Sequence, residues 1–150
     1  MNLKATLEHI AVVLNHPKYA GNIGSAARCA KNMGIERLIV VSDREYRQEE
    51  IRQMSTHLAA DVVDSIVYFR DLGEALSGFN YIVGTTARRR TATYVWAHPR
   101  EAAPRLIAHA AELQGPVCVV FGREDKGLSN EELDRCNELL VVPTSDRHSS

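Results

Sequence analysis

Three polar stretches carry the residue types that can do chemistry, and each follows a short apolar run. The first, residues 17–22, ends at Asn22 and leads on to Arg28. The second, 85–90, offers Thr85, Thr86 and Ala87 and then three successive arginines, Arg88, Arg89 and Arg90. The third, 122–127, is bracketed by Gly122 and Gly127 and contains Glu124. A guanidinium stays charged and presents a planar fork of donors, so Arg28 suits bidentate capture of a phosphate. Three arginines in a row suit a polyanionic backbone. Each group also has a plainer reading. From pattern alone Arg28 reads first as an exposed helix arginine and Glu124 as a surface carboxylate, while Arg88, Arg89 and Arg90 also read as a solvated loop and Thr85 and Thr86 as turn formers. Tyr94 and Trp96 read as packing residues, although either ring can stack on a base.

These loops need elements to position them. Val117 to Phe121 is a β-rich apolar run between Gly115-Pro116 and Gly122, the pattern of a buried parallel strand. Ser129 with Glu132 three residues on is a capping box that opens a helix. Residues 9–14, 37–41, 79–83 and 138–142 read as further strands, and 62–63 with 66–69 supply more strand material. Between them, Ile23, Ala26, Ala27, Ala30 and Met33 recur at helical spacing, with Asn22 as a cap and Gly34 as a stop. Arg28 falls off that apolar stripe. Ile51, Met54 and Leu58 mark a helix over 48–60, Asp71 and Glu74 another capping box, and Pro99 the start of a long helix with Leu106, Ile107, Ala110 and Leu113 on one face. Strands alternate with helices, at least six to five. That predicts an α/β fold, a mainly parallel sheet with helices on both faces, as a single domain over residues 1–150. In such sheets ligands bind at the carboxyl ends of the strands, where the three polar loops would converge.

Composition narrows the function. A chain of 150 residues with 45% hydrophobic residues can bury a core, and a net charge of -1 removes any global basic field that would recruit nucleic acid or membrane. Nucleic-acid binding must therefore come from a local patch or from the combined surface of an oligomer. Cys29, Cys118 and Cys136 have no CxxC spacing and read as reduced, core-filling residues of a cytoplasmic protein. The six histidines form no HxxxH or HExxH pattern, so no metal is expected. No leader and no membrane span are expected either. The stretch 21–26 follows a strand and opens a helix, but its second glycine comes three positions on, so it is not GxGxxG. Neither a P-loop nor a GxSxG elbow occurs.

Two longer patterns are more specific. Gly21-Asn22-Ile23-Gly24-Ser25-Ala26-Ala27-Arg28 with Lys31-Asn32-Met33-Gly34 after it, and the run from Phe121 through Gly122-Arg123-Glu124-Asp125-Lys126-Gly127-Leu128-Ser129-Asn130 to Leu133, stand in the right order and at the right spacing to resemble the SPOUT superfamily of RNA 2'-O-ribose methyltransferases, TrmH-like branch. Within it the chain looks most like enzymes acting at tRNA position 32. Gly84-Thr85-Thr86-Ala87-Arg88 fits as well, so the resemblance covers nearly the whole chain. It implies a sheet whose C-terminal part forms a trefoil knot, and a homodimer with the site near its interface. It implies S-adenosylmethionine as cofactor, held by Thr85, Thr86, Ala87, Gly122, Val142, Ser149 and Ser150. It implies RNA as partner, tRNA or else rRNA, contacted by Arg28, Arg88, Arg89 and Arg90. Arg28 would act near the target ribose, Asn22 would support its loop, Glu124 would shape the second motif, and Ser150 would complete the catalytic set. The family's third motif, a Ser-Leu-Asn run, is met only at its first serine, so the expectation is a domain truncated at its C-terminal end with an incomplete knot. A non-catalytic RNA-binding module of the same fold is the alternative, and a nucleotide-binding oxidoreductase a more distant one.

Overall fold

The computed structural model describes residues 2–87, 96–112 and 115–142, with the backbone alone for Trp96 and Ala97. Among the described residues seven strands form one sheet: β1 (Ile10–Asn15), β2 (Arg37–Val41), β3 (Val67–Phe69), β4 (Tyr81–Thr86), β5 (Trp96–Ala97), β6 (Val117–Phe121) and β7 (Glu138–Val141). Their order is β3-β2-β1-β6-β4-β7-β5, and every pairing is parallel. The helices are α1 (Leu3–Glu8), α2 (Ala20–Met33), α3 (Gln48–Ser55), α4 (Ala60–Asp64), α5 (Leu72–Leu76), α6 (Pro99–Glu112) and α7 (Asn130–Leu133).

Alternation along each strand decides which layer its side chains join. Ala11 and Val13 of β1, Ile39 and Val41 of β2, and Cys118 and Val120 of β6 pack on one face, with Leu72 and Leu76 of α5 and Leu133 of α7. Leu38 and Val40 point the other way, into a layer with Ile23 and Ala27 of α2 and Ile51 of α3. Further along that second face, Ile10 and Val117 meet Ala30 and Ala110, which brings in α6. Both faces are thus covered, as near-continuous apolar strands require. This is the α/β architecture expected, with one strand more than the minimum counted. The crossovers from β4 to β5 and from β6 to β7 interleave: β4 lies between β6 and β7, and β7 between β4 and β5. The segment expected to close a knot, 143–150, lies outside the described residues.

Several local expectations need correction. Val62 and Val63 are helical, in α4, because both side chains are buried in the same layer, where a strand would send them to opposite faces. The helix expected over 48–60 stops at Ser55, since Thr56 turns to φ 62 and a short 3-10 turn follows. Asn22 does not cap α2, which begins two residues earlier with Tyr19 at its N-cap. Cys29 fills no core and is exposed on α2. Gly34 does end α2, in the left-handed region at φ 79. Far from the loops, β7 begins at Glu138, whose buried carboxylate takes Arg105 of α6 and the Tyr81 hydroxyl of β4. Burial and that carboxylate push the Tyr81 phenol up to about 12.

Candidate functional site

β1 and β6 are neighbours, with Leu14 opposite Phe121, so the loops that leave them rise side by side. The loop after β6 is closed on itself: the Arg123 and Gly127 backbones exchange hydrogen bonds of 3.2 and 2.8 Å. Gly127 sits at φ 65, where a side chain would be strained. A Cβ on Gly122 would lie 2.2 Å from the Gly127 carbonyl carbon, so this loop closes only over a glycine. Leu128 then anchors its far end in the core. Ser129 and Glu132 form the full reciprocal box at the start of α7.

Glu124 leaves this loop and grips the start of α2. Its carboxylate accepts the Lys18 N–H at 2.8 Å, the Tyr19 N–H at 2.9 Å and the Asn22 side-chain amide at 2.9 Å. Tyr19 offers no side-chain cap to α2, so a carboxylate more than a hundred positions away does that work, and its charge suits the positive end of the helix. Burial pushes Glu124 up, but the Lys18 N–H, the Asn22 amide and the Tyr19 N–H outweigh it and hold the group below the usual range. A second carboxylate repeats the pattern deeper in. Glu132 accepts the Asn15 amide at 2.6 Å, the Ser129 N–H at 2.8 Å and Arg123 at 3.0 Å. Burial raises it too, and the Ser129 N–H, Arg123 and Asn15 outweigh that and lower it. Asn15 is fully buried at the end of β1. The Tyr46 hydroxyl, itself buried, donates to the Pro17 carbonyl from the loop beyond β2.

The first loop and α2 are thereby fixed against the second motif. α2 lies so close to α3 that a Cβ on Gly24 would come within 2.0 Å of the Ile51 carbonyl oxygen. Asn22 and Arg28 are exposed on α2, and among the described residues the Arg28 side chain makes no hydrogen bond or ion pair. β4 runs between β6 and β7, so its end stands beside Gly122 on one side and Val142 on the other. The Thr85 hydroxyl is spent on the Val120 carbonyl at 2.9 Å, which ties β4 to β6. The Thr86 carbonyl takes the Val142 N–H at 2.9 Å. Thr86, Ala87, Gly122 and Val142 are half-buried and form the rim of these strand ends. Arg88, Arg89, Arg90, Ser149 and Ser150 lie outside the described residues. Sequence reasoning missed Asn15, Lys18 and Arg123, and saw Glu132 only as half of a capping box. A polar residue closing an apolar strand, as Asn15 does, is the one signal that pointed to this network.

Among the described residues no helix is long and apolar enough to cross a membrane, and no cluster of three or more His, Cys, Asp or Glu could hold a metal ion. Comparison with known proteins adds four findings. A profile of the SpoU rRNA Methylase family matches residues 9–150. The tRNA (cytidine-2'-O-)-methyltransferase TrmJ of Methanocaldococcus jannaschii is 36% identical over 142 residues, 93% of this chain and 60% of the relative. The tRNA (cytidine/uridine/adenosine-2'-O-)-methyltransferase TrmJ of Pseudomonas aeruginosa is 38% identical over 144 residues, 96% of this chain and 55% of the relative. The crystal structure of TrmJ from Z. mobilis ZM4 superposes with a TM-score of 0.82 at 28% identity, over 93% of this chain and 61% of that one. The chain thus spans somewhat over half the length of the curated relatives it matches.

Proposed function

This chain belongs to the SpoU rRNA Methylase family, and from that premise we propose that it is an S-adenosylmethionine-dependent RNA 2'-O-ribose methyltransferase, acting on tRNA in the cytoplasm as a homodimer. The observation that carries the reading is the joining of the two motifs. Glu124 of the second grips the helix that presents Asn22 and Arg28 of the first, beside the strand ends that would hold the cofactor. The TrmJ relatives, named as tRNA methyltransferases, favour tRNA over rRNA. Tyr19 and Phe121, more than a third exposed beside the motif loops, are in keeping with a second copy covering this edge.

The residues present fit a neutral adenosyl group. Thr86, Ala87, Gly122 and Val142 offer backbone groups and small or apolar side chains, half-buried, at adjacent strand ends. When bound, S-adenosylmethionine supplies an activated methyl group to the 2'-hydroxyl. Methyl transfer needs in-line alignment and removal of a proton more than covalent help. Arg28 stays charged and is a poor base, so it holds the phosphate next to the target ribose and stabilises developing alkoxide charge. Glu124 and Asn22 set the direction of the helix that carries it.

Titration of the protein with S-adenosylmethionine by calorimetry, followed by transfer of a labelled methyl group to tRNA and rRNA transcripts, tests this. Binding is expected, with label entering tRNA and lost when the target ribose is replaced by 2'-deoxyribose. Label in no RNA, despite firm RNA binding, would overturn the reading in favour of a non-catalytic RNA-binding module.

A further inference from the structure

Beyond the motif loops, two clefts run into one another along the carboxyl edge of the sheet. One, of about 240 Å³, lies between the loops after β1, β2 and β6; the other, of about 470 Å³, lies over the ends of β2 and β3. They share Ser42, Asp43 and Arg44 and so form one trough leading away from the motifs.

Its lining is mixed. Lys18, Arg44, Arg70, Arg123 and Lys126 contribute cations, and Asp43, Glu45 and Asp125 carboxylates. Lys18 and Asp125 face each other at 3.8 Å, and Arg123 is held by Glu132. That leaves Arg44, Arg70 and Lys126 as cations without an ion-pair partner among the described residues. Arg44 lies over the Tyr46 ring at 4.9 Å. Tyr68, on the edge strand β3, keeps 47% of its surface exposed and lines the larger cleft. A trough built only to neutralise phosphate would be lined by cations alone. This one sets an exposed tyrosine, arginines and carboxylates together. That is the set that reads a splayed base: the ring stacks, the arginines take the flanking phosphate, and the carboxylates accept from the amino edge. The larger cleft is within the size range of small-ligand pockets.

Resting on the RNA reading above, we propose that the trough holds a single-stranded nucleotide of the RNA substrate flanking the methylated ribose, with its base on Tyr68 and its phosphate on Arg44 and Arg70. The test uses the full chain, the tRNA transcript that it methylates, and a fluorescent oligouridine hexamer. Tyr68→Ala should weaken binding of both RNAs roughly tenfold and raise KM with kcat unchanged, and Tyr68→Phe should restore binding, because stacking needs only the ring. Arg70→Ala should lower the slope of log affinity against log salt by about 0.7. Unchanged binding by Tyr68→Ala while methylation persists would overturn the trough and leave the enzyme standing. A change in oligomeric state with RNA affinity intact would overturn it as well, in favour of a contact between chains. Failure of the wild-type chain to bind any RNA would overturn both readings.

Discussion

Replacing Glu124 by glutamine keeps the shape of the side chain and removes its charge. The carboxylate receives three N–H groups, from Lys18, Tyr19 and the Asn22 amide. A glutamine has one oxygen for them and turns an amide donor toward the rest. Hydrogen bonds to a charged group contribute about 1.5–3 kcal/mol against about 0.5–1.5 for neutral ones, and this site is partly open to water. Loss of a helix cap costs about 0.5–2 kcal/mol. The expected loss at pH 7 is therefore about 1–2 kcal/mol, or a melting temperature lower by about 3–6 °C in a domain of this size. The pH dependence separates this from generic damage. Glu124 is held below its ordinary value of 4.5, so its contribution is present above that value and is lost as pH falls through the folded value. Protonated glutamate and glutamine are both neutral, so the gap between wild type and variant should close on acidification. Glu132 titrates in both proteins and cancels. Thermal melts of the two proteins from neutral to acidic pH provide the measurement, with methylation assayed in parallel and expected to fall roughly tenfold or more as Asn22 and α2 lose their bearing. Equal stability at pH 7, or a gap that persists in acid, would refute the reasoning.

Three further substitutions probe the same architecture. Gly24→Ala sets about 1 kcal/mol of gained helix propensity against a methyl 2.0 Å from the Ile51 backbone oxygen, which cannot rotate away. Overpacking of about 1–3 kcal/mol wins, so urea melts should show a net loss, and a gain would contradict the close α2–α3 contact. Gly122→Ala forces the 122–128 loop open and should weaken S-adenosylmethionine binding by calorimetry while circular dichroism keeps its native form; unchanged affinity would place that loop outside the pocket. Arg28→Ala should leave stability within about 0.5 kcal/mol and cofactor binding intact while methylation is lost. Collapse of cofactor binding would make Arg28 structural instead.

Elements whose causes are local were legible from the chain alone. The apolar runs of β2 and β6, the Ser129–Glu132 box and the Gly34 stop depend on neighbours within a few positions. The family was legible too, because its two motifs are contiguous strings. Val62 and Val63 were misread because a pair of β-branched residues suits either element, and only packing against α2 decides. Asn22 was misread because the first turn of α2 finds its cap elsewhere in the chain.

What the sequence by itself determined is therefore a parallel α/β fold and a family. The tertiary structure alone decided the strand order, the interleaving of β4 with β6 and β7, the methyl-tight contact at Gly24, and the two carboxylates that tie the second motif to the end of β1 and to α2. The physical reason is range. Propensity, capping and alternation act over a few residues, whereas Asn15–Glu132 and Asn22–Glu124 join partners over a hundred positions apart, and such pairs exist only once the sheet has set β1 beside β6.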